Sequence, residues 1–163
     1  MKIILSCIFF LCFITKVIFA QSSSSILRKL EGNWSASGKA FNMPAEISMS
    51  WKKSLGDKFH HLSYRMDMKA PDGSIQTFEG TAYYKVMTDS VLVATWFDSG
   101  GEMHPIKATV DGESLTAIWG TPETKLGKTI YQFVDHNTIE ITDFIQNKKG
   151  EWKQFNKNSV SKK

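Results

Sequence analysis

Turn signals punctuate this chain about every ten residues from Gly32 onward, and short runs of alternating, β-branched and aromatic side chains fill the gaps. Pro71-Asp72-Gly73 and Asp111-Gly112 are the strongest of these signals. Aspartate hydrogen-bonds the backbone of a turn, and glycine takes the positive φ that tight hairpins require. No stretch of about twelve residues holds a 3.6-residue period, so any helix is short. The spacing predicts ten strands: Asn33–Ala40, Glu46–Lys53, Lys58–Met68, Ile75–Val86, Val91–Asp98, Met103–Val110, Ser114–Trp119, Thr129–Val134, Thr138–Ile145 and Glu151–Val160. Asn42-Met43-Pro44 is read as the first turn between them. Ten strands joined by sequential hairpins close into an antiparallel up-and-down barrel, which leaves no exposed sheet edge. The expected fold is therefore all-β, with a short N-terminal helical turn at Ile26–Leu30 preceded by a polar tether, Gln21 to Ser25.

Upstream of this region the composition changes. Lys2 precedes an apolar run from Ile3 to Ile14, and Ala20 offers a small residue where a signal peptide would be cut. The run is short for a bilayer span and Lys16 interrupts it. The expected organisation is a signal peptide over 1–20, a tether and short helix over 21–30, and one barrel domain over 31–163, secreted or periplasmic after cleavage near Ala20 and without a membrane span. Cys7 and Cys12 are the only cysteines, and both fall within the segment removed. Disulfides, thiol catalysis and thiolate metal sites are then excluded from the mature domain. Loss of Lys2 and Lys16 takes the basic residues from 20 to 18 against 16 acids, a net charge near +2. Spread over the surface, that balance does not make a nucleic-acid footprint, and no nucleic-acid partner is expected.

Strand alternation gives a first estimate of what points inward. Ile47, Met49 and Trp51 share one face, as do His60, Leu62, Tyr64, Met66 and Met68. Phe78, Gly80, Ala82 and Tyr84 form the next such set, followed by Leu92, Ala94, Trp96 and Asp98. His104, Ile106, Ala108 and Val110, then Leu115, Ala117 and Trp119, complete it. This inward set is rich in Trp, Tyr and Met, side chains that suit an adaptable apolar pocket, and a barrel this wide is not easily filled by side chains alone.

Gly32-Asn33-Trp34, following Leu30-Glu31, opens the first strand with a Gly-x-Trp pattern. Phe78-Glu79-Gly80-Thr81-Ala82-Tyr83-Tyr84 and Trp96-Phe97-Asp98-Ser99 follow it in order. Together these segments resemble the calycin superfamily of lipocalins, fatty-acid-binding proteins and nitrobindin-like barrels, and within it a group of secreted bacterial lipocalin-like proteins of uncharacterised function. The resemblance implies a barrel with an internal cavity and a structural place for Trp34 across its closed end. It does not imply a ligand. The last strand has no histidine to hold haem and no arginine and tyrosine to hold a fatty-acid carboxylate, so no cofactor is expected.

Little else in the sequence carries chemistry. His60 and His61 are adjacent and point to opposite faces of a strand, which separates them as metal ligands, and no metal site is expected. Nucleophile elbows and phosphate loops do not occur. Asp98 and His104 flank the Ser99–Gly101 turn, so hairpin geometry is expected to bring them close. The expected function is non-catalytic binding of a small apolar or amphipathic molecule. Trp51, Tyr64, Tyr84, Trp96 and Trp119 would form the walls, with Asp98 and His104 orienting the ligand. Two alternatives are an isomerase or hydrolase built on Asp98 and His104, and an interaction module presenting Tyr83 and Phe97 to an envelope protein or glycan. No oligomeric state is legible.

Overall fold

The computed structural model describes residues 22–163, so the signal-peptide reading over 1–20 lies outside the described residues. The chain runs α1 (Ser23–Leu30), β1 (Gly32–Ala40), β2 (Met43–Ser54), β3 (Phe59–Lys69), β4 (Ile75–Val86) and β5 (Val91–Asp98). It continues through β6 (Met103–Asp111), β7 (Ser114–Gly120), β8 (Leu126–Asp135), β9 (Thr138–Gln146) and β10 (Trp152–Lys162). Each strand pairs antiparallel with the next, and β10 returns to β1 through Trp34 opposite Lys162 and Ser35 opposite Ser161. The fold is thus a closed ten-strand, up-and-down antiparallel barrel with one short helix before it. No helix among the described residues is long and apolar enough to cross a membrane.

The helix seals one end. Ser22 caps it through its side chain, which accepts a hydrogen bond from the Ser25 amide, and Ile26, Leu27 and Leu30 are fully buried. The serine run expected to be a tether is therefore helix, and Ser23 is wholly buried, its amide bonded to the Asp89 carbonyl. A serine is a good N-cap because its oxygen satisfies an otherwise unpaired helical N–H. Trp34 lies beneath the helix, donates its indole N–H to the Leu30 carbonyl at 2.7 Å and meets Phe133 edge-on. The Lys162 ammonium sits 5.1 Å from the Trp34 ring. Leu62, Leu92, Leu115, Ile139 and Val160 complete this fully buried end, the main hydrophobic core.

Most strand limits lie within one or two residues of the sequence reading; β2 and β8 each begin three residues earlier and β10 carries a break in register, each for a physical reason. The first turn is Phe41-Asn42, with φ of 49° and 65°, and Met43 and Pro44 already belong to β2. Two successive positive φ values are what a two-residue hairpin of right-handed twist demands. β8 begins at Leu126 instead of Thr129 because Gly127 is strand, not loop. In β10 the register shifts between Gln154 and Asn156, so Phe155 is the extra residue of a bulge.

Candidate functional site

Beyond Leu62 and Tyr84, toward the end away from the helix, the barrel interior opens into a cavity of about 570 Å³. Tyr64, Met66 and Met68 of β3 line it, with Phe78 and Tyr84 of β4, Trp96 and Asp98 of β5, His104 and Ile106 of β6, and Trp119 of β7. Six of the seven residues singled out from the sequence therefore face one space. Trp51 does not. It is buried behind Tyr84, 5.0 Å away, and Tyr131, 5.8 Å away, and supports these two tyrosines from below. Trp51 pairs with Gly32 at the start of β1, too close to the helical plug for the cavity to reach it.

Two glycines shape the walls. A Cβ added to Gly80 would stand 1.9 Å from Trp96 Cζ2, and one added to Gly127 would stand 2.0 Å from Trp119 Cζ2. Each indole thus lies flat over a neighbouring strand exactly where that strand lacks a side chain, leaving the lumen free. Each is also pinned by its N–H: Trp96 donates to Asp98 Oδ2 at 3.1 Å and Trp119 to Thr129 Oγ1 at 3.2 Å. Phe78 stacks on Trp96 at 6.4 Å and Tyr64 tilts against it.

Asp98 and His104 are both on the inner face, but no hydrogen bond or ion pair joins them. The register sets Trp96, not Asp98, opposite His104. Asp98 Oδ1 instead accepts the amides of Gly100 at 2.9 Å and Glu102 at 3.1 Å, so the carboxylate closes its own turn. His104 is buried against Trp119, with ring centroids 5.5 Å apart. The arrangement holds a hairpin and an indole in place and leaves no poised acid–base pair.

A different carboxylate occupies the interior. Asp143 of β9 stands in a cross-strand row with Ala117, Thr129 and Asn156. Thr129 Oγ1 donates to its Oδ1 at 2.7 Å and Asn156 Nδ2 to its Oδ2 at 2.9 Å. Asn156 is itself held by Asn158, whose amide donates to its oxygen at 2.7 Å. Burial raises the Asp143 carboxyl above the ordinary carboxylate range, against the two hydrogen bonds, which favour the ion. No ion pair forms between Asp143 and any cationic side chain among the described residues. Burial likewise raises the hydroxyls of Tyr64, Tyr84 and Tyr131, and the nearby Asp143 charge pushes Tyr64 and Tyr131 further up.

Strand alternation carried on to β9 would have found this group: Asp143 continues the inward series Ile139, Ile141, Ile145 as its one charged member. Asn156 and Phe155 were beyond that method, because the bulge breaks the alternation of β10. Phe155 and Phe41 stack at 6.1 Å at the rim, opposite Thr124 and Lys125 of the β7–β8 loop. That loop folds back over Gly120, where φ is 82° and an added Cβ would meet the Lys125 carbonyl oxygen at 1.8 Å.

No family model and no curated protein matches the chain.

Proposed function

We propose that this barrel is a non-catalytic container for one small amphipathic molecule, acting outside the cytoplasm after cleavage near Ala20. One observation carries the reading: a cavity of about 570 Å³, sealed by α1 at one end and lined by aromatic and methionine side chains. Ligand sites are typically concave, of about 300–1,000 Å³, mostly apolar, with a few fixed polar groups. Here those groups would be Asp98, His104, Thr129, Asp143 and Asn156. The closed barrel and the Gly-x-Trp strand opening with Trp34 under the plug support a calycin-type, lipocalin-like assignment. An isomerase or hydrolase built on Asp98 and His104 is disfavoured, since Asp98 is committed to its turn.

Native mass spectrometry of the protein purified from its own host tests the reading. A co-purifying small molecule, lost together with its protection of tryptophan fluorescence on denaturation, is expected. An empty protein whose fluorescence no apolar probe perturbs would refute it. Sequencing of the mature N-terminus is expected to begin at Gln21.

A further inference from the structure

We propose that the molecule held in this cavity carries a protonated amine, seated against Asp143 and enclosed by the surrounding aromatic rings. This rests on the reading of the barrel as a container. Its starting point is a mismatch between the hydrogen bonding around Asp143 and its charge balance.

The hydrogen bonds are arranged for an ionised carboxylate. Thr129 Oγ1 accepts from the Trp119 indole, so its own hydrogen is directed to Asp143. Asn156 accepts through its oxygen from Asn158, which fixes its amide group toward Asp143. Both relays end on the carboxylate as donors, and a carboxylate uses such donors best when it is an acceptor only. Yet both donors are neutral, and no side-chain cation compensates the buried charge. Each oxygen accepts one hydrogen bond and retains capacity for another, and Asp143 lines the cavity.

The walls suit the same head group. Tyr64, Trp119 and Tyr131 line the same cavity as Asp143, and Trp119 is linked to it through Thr129. Aromatic faces attract a desolvated ammonium and give nothing comparable to an anion. An N–H-bearing cation would supply the missing counter-charge and donate to the spare carboxylate positions, while its apolar body lay along Met66, Phe78 and Trp96. The other charged or titratable groups on the cavity wall are Asp98, Glu102, His104, Lys125 and Tyr84. Of the carboxylates, Asp98 is occupied by its turn amides.

Three probes with one apolar body and different heads test this: n-octylamine, n-octanol and n-octanoate, titrated at neutral pH into the full mature protein and followed by tryptophan fluorescence and calorimetry. The amine is expected to bind roughly tenfold or more tightly than the alcohol, as a charge-assisted hydrogen bond implies, with the octanoate weakest. Asp143→Asn keeps the side-chain shape and is expected to abolish the amine's advantage while leaving the alcohol within about twofold. Asp111→Asn, at an exposed carboxylate outside the cavity, is expected to preserve that advantage. Equal or stronger binding of octanol or octanoate by the unaltered protein overturns the amine and leaves the container standing. So does an amine preference that survives Asp143→Asn. Failure of all three probes to bind overturns both. The comparison of heads in the unaltered protein decides the matter even if a variant does not fold.

Discussion

Replacing Gly127 by alanine tests the wall geometry with a sign opposite to ordinary expectation. Glycine inside a strand is entropically costly, and alanine there normally stabilises by about 0.5–1 kcal/mol. At Gly127 the new methyl would stand 2.0 Å from Trp119 Cζ2, whereas ordinary contact begins at 3.4 Å, so the indole must retreat by about 1.4 Å. It can move only into the cavity. That movement breaks the 3.2 Å hydrogen bond to Thr129, at about 0.5–1.5 kcal/mol. Overpacking a fitted site adds about 1–3 kcal/mol. Set against the alanine gain, the net loss is about 0.5–4 kcal/mol, or a fall in Tm of roughly 2–14 °C for a domain of this size. Calorimetry reads the Tm, and near-ultraviolet circular dichroism reads the displaced indole. Gly80→Ala, with its methyl 1.9 Å from Trp96 Cζ2, is expected to behave alike. A Tm that holds or rises in both variants would refute the idea that glycine makes room for these indoles.

Three further outcomes follow from burial and charge. Burial raises the folded-state carboxyl of Asp143, so its contribution to stability is fully present below about pH 3.8 and is lost as pH rises through the raised value. Urea denaturation is expected to show Asp143→Asn gaining on the unaltered protein between acid and neutral pH, with Asn156 and Asn158 turning their amides to restore the hydrogen bonds; a pH-independent difference would contradict this. His60 is shifted the other way: burial lowers it from 6.5, outweighing the Glu31 carboxylate 3.6 Å away. Its contribution is present above pH 6.5 and lost as pH falls through the lowered value, so His60→Gln is expected to flatten that part of the stability profile. Leu27→Ala, in the fully buried face of the plug, is expected to cost about 2–5 kcal/mol by denaturant titration, and a loss below about 1 kcal/mol would mean that α1 does not seal the barrel.

Alternation made most of the architecture readable. Ile75–Val86 and Val91–Asp98 coincide with β4 and β5, because strong turn chemistry brackets both and their inward sets are apolar except for Asp98. The inner faces of β2 to β7 are those that period two assigns. Reading failed where a residue's role depends on a distant partner. Gly127 resembles a loop residue until the Trp119 ring is laid over it, and Pro44 resembles a turn residue until Phe41 and Asn42 take the two positive φ values. Asp98 and His104 are neighbours across a hairpin, but a register in which Trp96 faces His104 separates their functional groups. Asp143 was visible as a charge on an isoleucine face; its partners Thr129 and Asn156 come from two other strands, the latter set by a bulge that no local pattern announces.

The helical plug has a kinetic consequence. Under the proposed container reading, Ile26, Leu27 and Leu30 close one end of the barrel among the described residues, so arrival and departure would share the end that Phe41 and Phe155 rim. A newcomer cannot push the occupant out ahead of it. Exchange must then wait for spontaneous departure, and its rate will not rise with the concentration of competitor. On that reading the end of the molecule that enters first would also be the last to leave, and any acceptor would have to meet the rim.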